Sequence, residues 1–179
     1  IHFMPLDRIR GGTVLDLGSN QGYFSIQASL HGAKKITSIE LTREDVDLAK
    51  EISDKIMKID NINFINGDIK KFLKEDMEFY DLIILSSVLH QLYPNIDDPE
   101  SDRFLNKLSK KCQYMFFEIP INHKHYRVSL KKMNSKLKQF FDDVRLVYFY
   151  DAYSTGFRAL FMCRPTDPSY SKEGIWRGN

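Results

Sequence analysis

The chain has 179 residues, 42% of them hydrophobic, and balances 26 Lys and Arg against 24 Asp and Glu. That length fits one domain with a full core, and a formal charge of +2 excludes a global field that would advertise nucleic acid or an anionic membrane. The apolar runs fall short of the roughly 20 residues of a membrane-spanning helix, and Cys112 and Cys163 are too few for a disulfide framework or a zinc site.

In chain order, Thr13–Leu17 reads as a first strand that breaks into a glycine-punctuated turn. A helix over 22–30 follows and closes at His31-Gly32. Lys35–Glu40 is the second strand. The second helix covers about 43–59, with Thr42 as N-cap and Val46, Ala49, Ile52, Ile56 and Ile59 recurring on one face. A third strand over 63–66 runs into the Asn66-Gly67-Asp68 turn, where Asp68 also suits a helix cap. Tyr80–Ser86 is the fourth strand, and a helix over 102–110 leads to a fifth strand over 114–119. A helix over 128–141 precedes two last strands, 144–150 and 158–163, which are joined by a loop too short for a crossover and so form an antiparallel hairpin. The alternation predicts an α/β fold with a mainly parallel sheet. Both cysteines sit in strand-like stretches, as buried free thiols do. We expect a domain over 1–164 and an irregular tail or linker over 165–179, rich in Pro, Ser, Gly and mixed charge. The chain opens at Ile1 without a signal pattern and reads as a domain cut from a longer, cytoplasmic protein.

The turn after the first strand carries Asp16, Gly18, Ser19, Asn20 and Gly22. Its G-x-x-x-G spacing differs from the G-x-G-x-x-G of dinucleotide sites. The glycines permit a sharp turn and expose backbone N–H groups at a helix start, as a nucleotide-like ligand requires. Glu40 ends the second strand 22 residues after Gly18, near the spacing at which such folds place an acid on ribose hydroxyls. Tyr23 and Phe24 read as the first core face of the helix.

These motifs resemble those of the class I S-adenosylmethionine-dependent methyltransferases. The resemblance implies a Rossmann-like three-layer sandwich with strand order 3-2-1-4-5-7-6 and S-adenosyl-L-methionine as cofactor, released as S-adenosyl-L-homocysteine. It implies that Asp16 supports the loop and the methionine end, beside Gly18, Ser19, Asn20 and Gly22. It further puts Glu40 on the ribose, Asp68 on the adenine amino group, Ile69 against the ring and Ser86 in the pocket wall. Ser86 and Ser87 equally suit satisfaction of backbone groups at a turn. The segment Ser87-Val88-Leu89-His90 looks like the family's fourth motif, where the methyl projects, and His90 is its candidate base.

An Asn/Asp-Pro-Pro-Tyr/Phe segment is absent at the fourth strand, which argues against nitrogen methylation through that motif. From 123 to 138 the chain carries six Lys and Arg and no acid. With Glu118, His123, His125, Tyr126 and Arg127 this segment is the expected acceptor side, suited to an anionic group or an RNA backbone, or else a solvated helix face. Glu118 is expected to meet the acceptor or balance these bases. Asp97-Asp98 reads as a helix cap, and no metal is expected. Ser87-Val88-Leu89-His90, Phe117-Glu118-Ile119-Pro120 and Asp151-Ala152-Tyr153 also resemble the methyltransferase halves of bifunctional polysaccharide chain-terminating enzymes. The sequence-level expectation is O-methylation of a small-molecule or carbohydrate-like acceptor, with an RNA methyltransferase or a silent cofactor-binding partner domain as the alternatives.

Overall fold

Leu82, Ile83, Ile84 and Leu85 are apolar at four successive positions and demand cover on both faces of a strand; in the computed structural model all four are fully buried. The structure describes residues 9–123, 126, 128–152 and 156–165. The strands are β1 (Thr13–Leu17), β2 (Lys35–Glu40), β3 (Ile62–Asn66), β4 (Tyr80–Ser86), β5 (Cys112–Ile121), β6 (Asp143–Asp151) and β7 (Phe157–Arg164). They form one sheet in the order β3-β2-β1-β4-β5-β7-β6. β1 to β5 run parallel, and β7 is antiparallel to both β5 and β6, as the resemblance implied.

On one face lie α1 (Tyr23–Leu30) and α2 (Arg43–Glu51); on the other lie α3 (Ile69–Glu75), α4 (Leu89–Leu92), α5 (Pro99–Ser109) and α6 (Leu130–Leu137). Strand alternation sorts β4 between these layers. Ile83 and Leu85 join the core under α3 to α6, while Leu82 and Ile84 join Ala28 and Phe24 of α1. Among the described residues no helix is long and apolar enough to cross a membrane.

Several boundaries differ from the sequence reading for physical reasons. The α-helical part of the second helix stops at Glu51, and Ile52–Met57 continues as a π-helix ending at Lys58, φ +58°. The wider turn rotates Ser53 inward, 0% exposed, and throws Ile56 out to 67% exposure, so Ile56 does not join the face of Val46 and Ala49. Tyr23 is likewise solvent-facing rather than core, at 55% exposure, and only Phe24 packs inward. Helix α5 begins before the expected 102 because Asp98 caps it, accepting from Glu100 N at 2.9 Å, and Pro99 opens its first turn. Helix α6 is shorter than 128–141 at both ends, although Val128 and Phe141 stay buried. The short α3 and α4 were not assigned from sequence.

At the N-terminal ends of the strands the polar groups are paired. Lys111 Nζ meets Asp76 Oδ2 at 2.8 Å, Tyr80 donates to Asp76 Oδ1 at 3.1 Å, and Thr13 N donates to Asp81 Oδ2 at 2.8 Å. Cys112 and Cys163 are buried free thiols, and burial pushes both well above the usual thiol range. Ile83 is fully buried in the core under α3 to α6, so Ile83→Ala is expected to lower unfolding stability by about 2–5 kcal/mol. The measurement is the urea midpoint at unchanged slope; a shift below about 1 kcal/mol would contradict this account of the core.

Candidate functional site

At the C-terminal end of β1 the chain has to turn beneath β4, and Gly18 sits there at φ +71°. A Cβ at that position would collide with Val88 Cγ2, so both conformation and space demand glycine. Gly22, at φ +77°, is demanded by a second close approach: its Cβ would stand 2.8 Å from Phe64 Cε1 and 3.1 Å from Ala49 Cβ. Part of the loop's set of backbone N–H groups is used within the protein. Gly18 N and Ser19 N both donate to Ile39 O, at 2.8 and 3.1 Å, and Gly22 N donates to Ser19 O at 2.9 Å. Asn20 N donates to Glu40 Oε2 at 2.9 Å. The loop therefore clamps itself to the end of β2, and its inward polar group is the Ser19 hydroxyl. That residue is 7% exposed, and its Oγ has no hydrogen-bond partner among the described residues.

Asp16 is 1% exposed and accepts from Ser25 Oγ at 2.7 Å. Burial pushes its carboxyl up to about 6, and the nearby charge of Glu40 adds to the rise, against the lowering effect of the Ser25 hydroxyl and amide. Glu40 uses one oxygen for Asn20 N and the other for Thr42 N, each at 2.9 Å. Thr42 caps α2 without a side-chain hydrogen bond of its own. Each carboxylate oxygen retains a second acceptor position, so the group can still receive two hydroxyls. Asp68 caps α3 by accepting from Lys71 N at 2.8 Å, and Ile69 beside it is 8% exposed. Asn66 Nδ2 ties the β2 and β3 ends together through Glu40 O and Leu41 O, at 3.1 and 2.7 Å. Asp16, Glu40 and Asp68 thus stand at or just beyond the C-terminal ends of β1, β2 and β3.

Beyond β4 and β5 the polar groups converge on Glu118, which is 5% exposed. Its Oε2 accepts from Ser86 Oγ at 2.8 Å and Ser87 Oγ at 2.6 Å, and its Oε1 from Arg158 Nη1 at 2.8 Å. The structure corrects the expectation that Glu118 balances the bases of 123–138: its counter-ion is Arg158 from β7. The Ser86 hydroxyl is likewise committed to Glu118. The partnership joins residues 40 apart in sequence and has no local signal. His90, in α4, is 8% exposed, and its Nδ1 has no hydrogen-bond partner among the described residues. Burial holds its imidazole down to about 4, helped by Arg158 and His123 and opposed by Glu118. Its ring meets Tyr126 edge-on at 4.5 Å, and His123 stacks on Tyr126 at 5.5 Å.

His90 and Tyr126 also border a cleft of about 330 Å³, with Ile119 and Val128 as apolar lining and Asp97 and Lys132 among its polar residues. Lys132 pairs with Asp97 at 2.5 Å, and the buried Lys136 pairs with Asp102 at 2.5 Å. Two of the six bases expected to face an anionic acceptor are therefore neutralised within the protein. His125 and Arg127, offered from sequence as acceptor contacts, lie outside the described residues, as do Lys124, Tyr153 and Ser154. The sequence reading missed the part played by Tyr93, Ile96 and Asp97 in the cleft, although Asp98-Pro99 marks the turn that carries them. Among the described residues no group of three or more His, Cys, Asp or Glu gathers as metal ligands.

A family model described as a methyltransferase domain matches residues 10–141. Ribosomal protein L11 methyltransferase of Streptococcus agalactiae is 36% identical over 85 residues, covering 47% of this chain and 27% of that protein. The Streptococcus pyogenes protein of the same name is 37% identical over 82 residues. The chain spans about a quarter of the length of these curated relatives. Among solved structures, the bifunctional kinase-methyltransferase WbdD superposes with a TM-score of 0.75 at 23% identity, over 86% of this chain and 34% of that one. The N-terminal domain of EvdMO1, solved in the presence of SAH and D-fucose, gives 0.67 at 10% identity, over 89% of this chain and 79% of that one. These two likenesses show the fold.

The Asp16 carboxyl holds its proton more tightly in the folded chain than in the unfolded one, so its ionisation opposes folding. Taking the rise from 3.8 to about 6, the cost at neutral pH is on the order of 3 kcal/mol, absent below about pH 4 and complete above about pH 6. Asp16→Asn is therefore expected to raise the melting temperature near neutral pH, with the gain vanishing towards about pH 4. A gain that grows on acidification would overturn this assignment.

Proposed function

The chain belongs to the methyltransferase-domain family, and from that premise we propose that it transfers the methyl group of S-adenosylmethionine to an oxygen of a small-molecule or carbohydrate-like acceptor. The observation that carries this reading is the row of acids at the ends of β1, β2 and β3 meeting, across Val88, a buried neutral histidine that borders a cleft.

The residues fit the cofactor. Ser19 brings a buried hydroxyl without a partner, Glu40 keeps two acceptor positions for a diol, and Asp68 has a carboxylate near an apolar Ile69 surface suited to a flat base. Asp16 and the Gly18–Gly22 loop would hold the methionine end, and Ser86 stands in the wall beyond them. The cofactor supplies an already activated sulfonium methyl, so the protein's contribution is alignment and exclusion of water. His90 is neutral across the physiological range and accepts the proton of an acceptor hydroxyl as the new C–O bond forms. Glu118, His123 and Tyr126 build the acceptor side around it. Glu118 does so by positioning rather than contact, since its carboxylate is already held by three donors.

An RNA acceptor is disfavoured by the pairing of Lys132 with Asp97 and of Lys136 with Asp102, because a phosphate track needs uncommitted cations. The relatives named for ribosomal protein L11 suggest a protein acceptor as a further outcome of the test, although their match covers less than half of this chain.

Calorimetric titration with S-adenosylhomocysteine is expected to give binding in the micromolar range, about −8 kcal/mol, and Glu40→Ala to weaken it at least about tenfold. Absence of binding by folded wild-type protein would sink the donor assignment. Methyl transfer from labelled S-adenosylmethionine should then mark a pool of small hydroxylated acceptors; label found on RNA or protein alone would overturn the acceptor assignment. With that acceptor, the rate is expected to be level through neutrality and to fall only as pH drops towards the depressed His90 value of about 4. His90→Gln should lower kcat by about 100-fold with little change in cofactor affinity. An unchanged kcat removes His90 from the chemistry.

A further inference from the structure

We propose that the Glu118–Arg158 ion pair is a lock that fixes the turn over residues 86–90 as a wall shared by the donor groove and the acceptor cleft, which makes Arg158 a positioning residue. The inference rests on the donor and acceptor assignment above. Its starting point is Ser87, a non-glycine residue at φ +59°. Such a conformation is unfavourable for a residue with a Cβ and persists only where surrounding groups over-determine it.

Here three elements do so. Ser87 N donates to Glu118 O at 3.1 Å, and Ser87 Oγ donates to Glu118 Oε2 at 2.6 Å. Arg158 Nη1 donates both to Ser87 Oγ and to Glu118 Oε1. Gln91 Nε2 donates to Ser87 O at 2.7 Å from the following helix. The held turn has consequences on two sides. Val88 is pressed into the space that only a glycine at position 18 leaves open, and His90 is presented at the border of the cleft. Displacement of Ser87 would shift both at once.

Holding β5 to β7 does not by itself call for this arrangement. An apolar pair of similar volume supports strand packing equally well, whereas a buried ion pair stripped of one member leaves an uncompensated charge. What the pair adds is directional bonding to two serine hydroxyls at a strained turn. A useful comparison lies at the opposite end of the same sheet, where Lys111 and Asp76 pair at 2.8 Å with side chains 13% and 6% exposed, against 18% and 6% for Arg158 and Glu118. That pair is as enclosed and touches neither side of the site.

The test uses the whole chain with labelled histidine. In wild type, His90 is expected to give one sharp imidazole signal, shaped by the charges facing it from Arg158, Glu118 and His123. Arg158→Ala should split or broaden that signal and weaken S-adenosylhomocysteine binding about tenfold. Arg158→Lys, which keeps the charge but loses the planar fork, should fall between. Lys111→Ala should lower the melting temperature without moving either readout. Unchanged signal and affinity in Arg158→Ala, or equal changes in Lys111→Ala, would overturn the lock. If Arg158→Ala does not fold, Arg158→Lys and Glu118→Gln carry the same comparison. Wild-type protein that binds no S-adenosylhomocysteine overturns the donor assignment instead, while the ligand-free His90 signal still decides the lock.

Discussion

The site depends on a reversal in the order of the sheet. From β1 the chain leaves over one face through α1, and from β4 it leaves over the other through α4 and α5. The C-terminal ends of these neighbouring strands therefore diverge, and a crevice opens between them without any dedicated cavity-forming residue. What closes its floor is the contact of Gly18 with Val88. A larger residue at 18 would push the β4 turn away, and the Gly18–Gly22 loop and the turn bearing His90 would no longer share a boundary. One missing side chain thus sets the distance between the two halves of the site.

The two ends of the sheet differ in how they treat buried polar groups. At the N-terminal end, Lys111, Asp76, Tyr80, Thr13 and Asp81 satisfy one another. At the C-terminal end, Asp16 is held with a raised proton affinity, His90 is held with a lowered one, and Ser19 Oγ and His90 Nδ1 lack partners among the described residues. Ser38, in register with Asp16 on the neighbouring strand, is a third such group, its hydroxyl without a hydrogen-bond partner among the described residues. A fold selected for stability alone would pair or remove these groups, since each unpaired buried polar atom costs about 1–3 kcal/mol. Their concentration at one edge is the pattern expected of a candidate binding site.

The sequence is legible where a signal is local. β1, β2 and β4 have the predicted bounds because each is a largely buried run with apolar residues at its centre, ended by a glycine, an acid or a serine turn. The antiparallel hairpin of β6 and β7 followed from the short loop between them, whereas the order of the strands came from the resemblance, because pattern alone does not rank strands. The π-helical continuation of α2 was hidden because Ile52, Ile56 and Ile59 fit a period of 3.6. Only the pull of Ser53, whose hydroxyl donates to Ile59 O at 3.3 Å, reveals the wider turn. The placement of Asp16, Glu40 and Asp68 at or just beyond the ends of β1, β2 and β3 was legible in the sequence, because each follows or ends a strand-like run. The partner of Glu118 was not, because a charge at the end of β5 gives no indication of which distant strand will be antiparallel to it.

The basic run over 123–138 shows how topology alters the reading of local charge: of its six bases, Lys132 and Lys136 are paired within the protein. Read along the chain, it is a cationic stripe facing a substrate. In three dimensions α6 lies beside the segment that carries Asp97 and Asp102, and Lys132 and Lys136 turn towards those acids. The pairing of Lys132 with Asp97 borders the cleft, so at that wall it shapes the cleft rather than presenting a free positive field. Partly exposed pairs of this kind contribute little stability, about 1 kcal/mol or less. Their consequence is geometric: the wall of the cleft that carries Tyr93, Pro94 and Ile96 is tethered to α6 through Asp97 and Lys132, and the cleft that His90 borders is lined by polar as well as apolar and aromatic side chains.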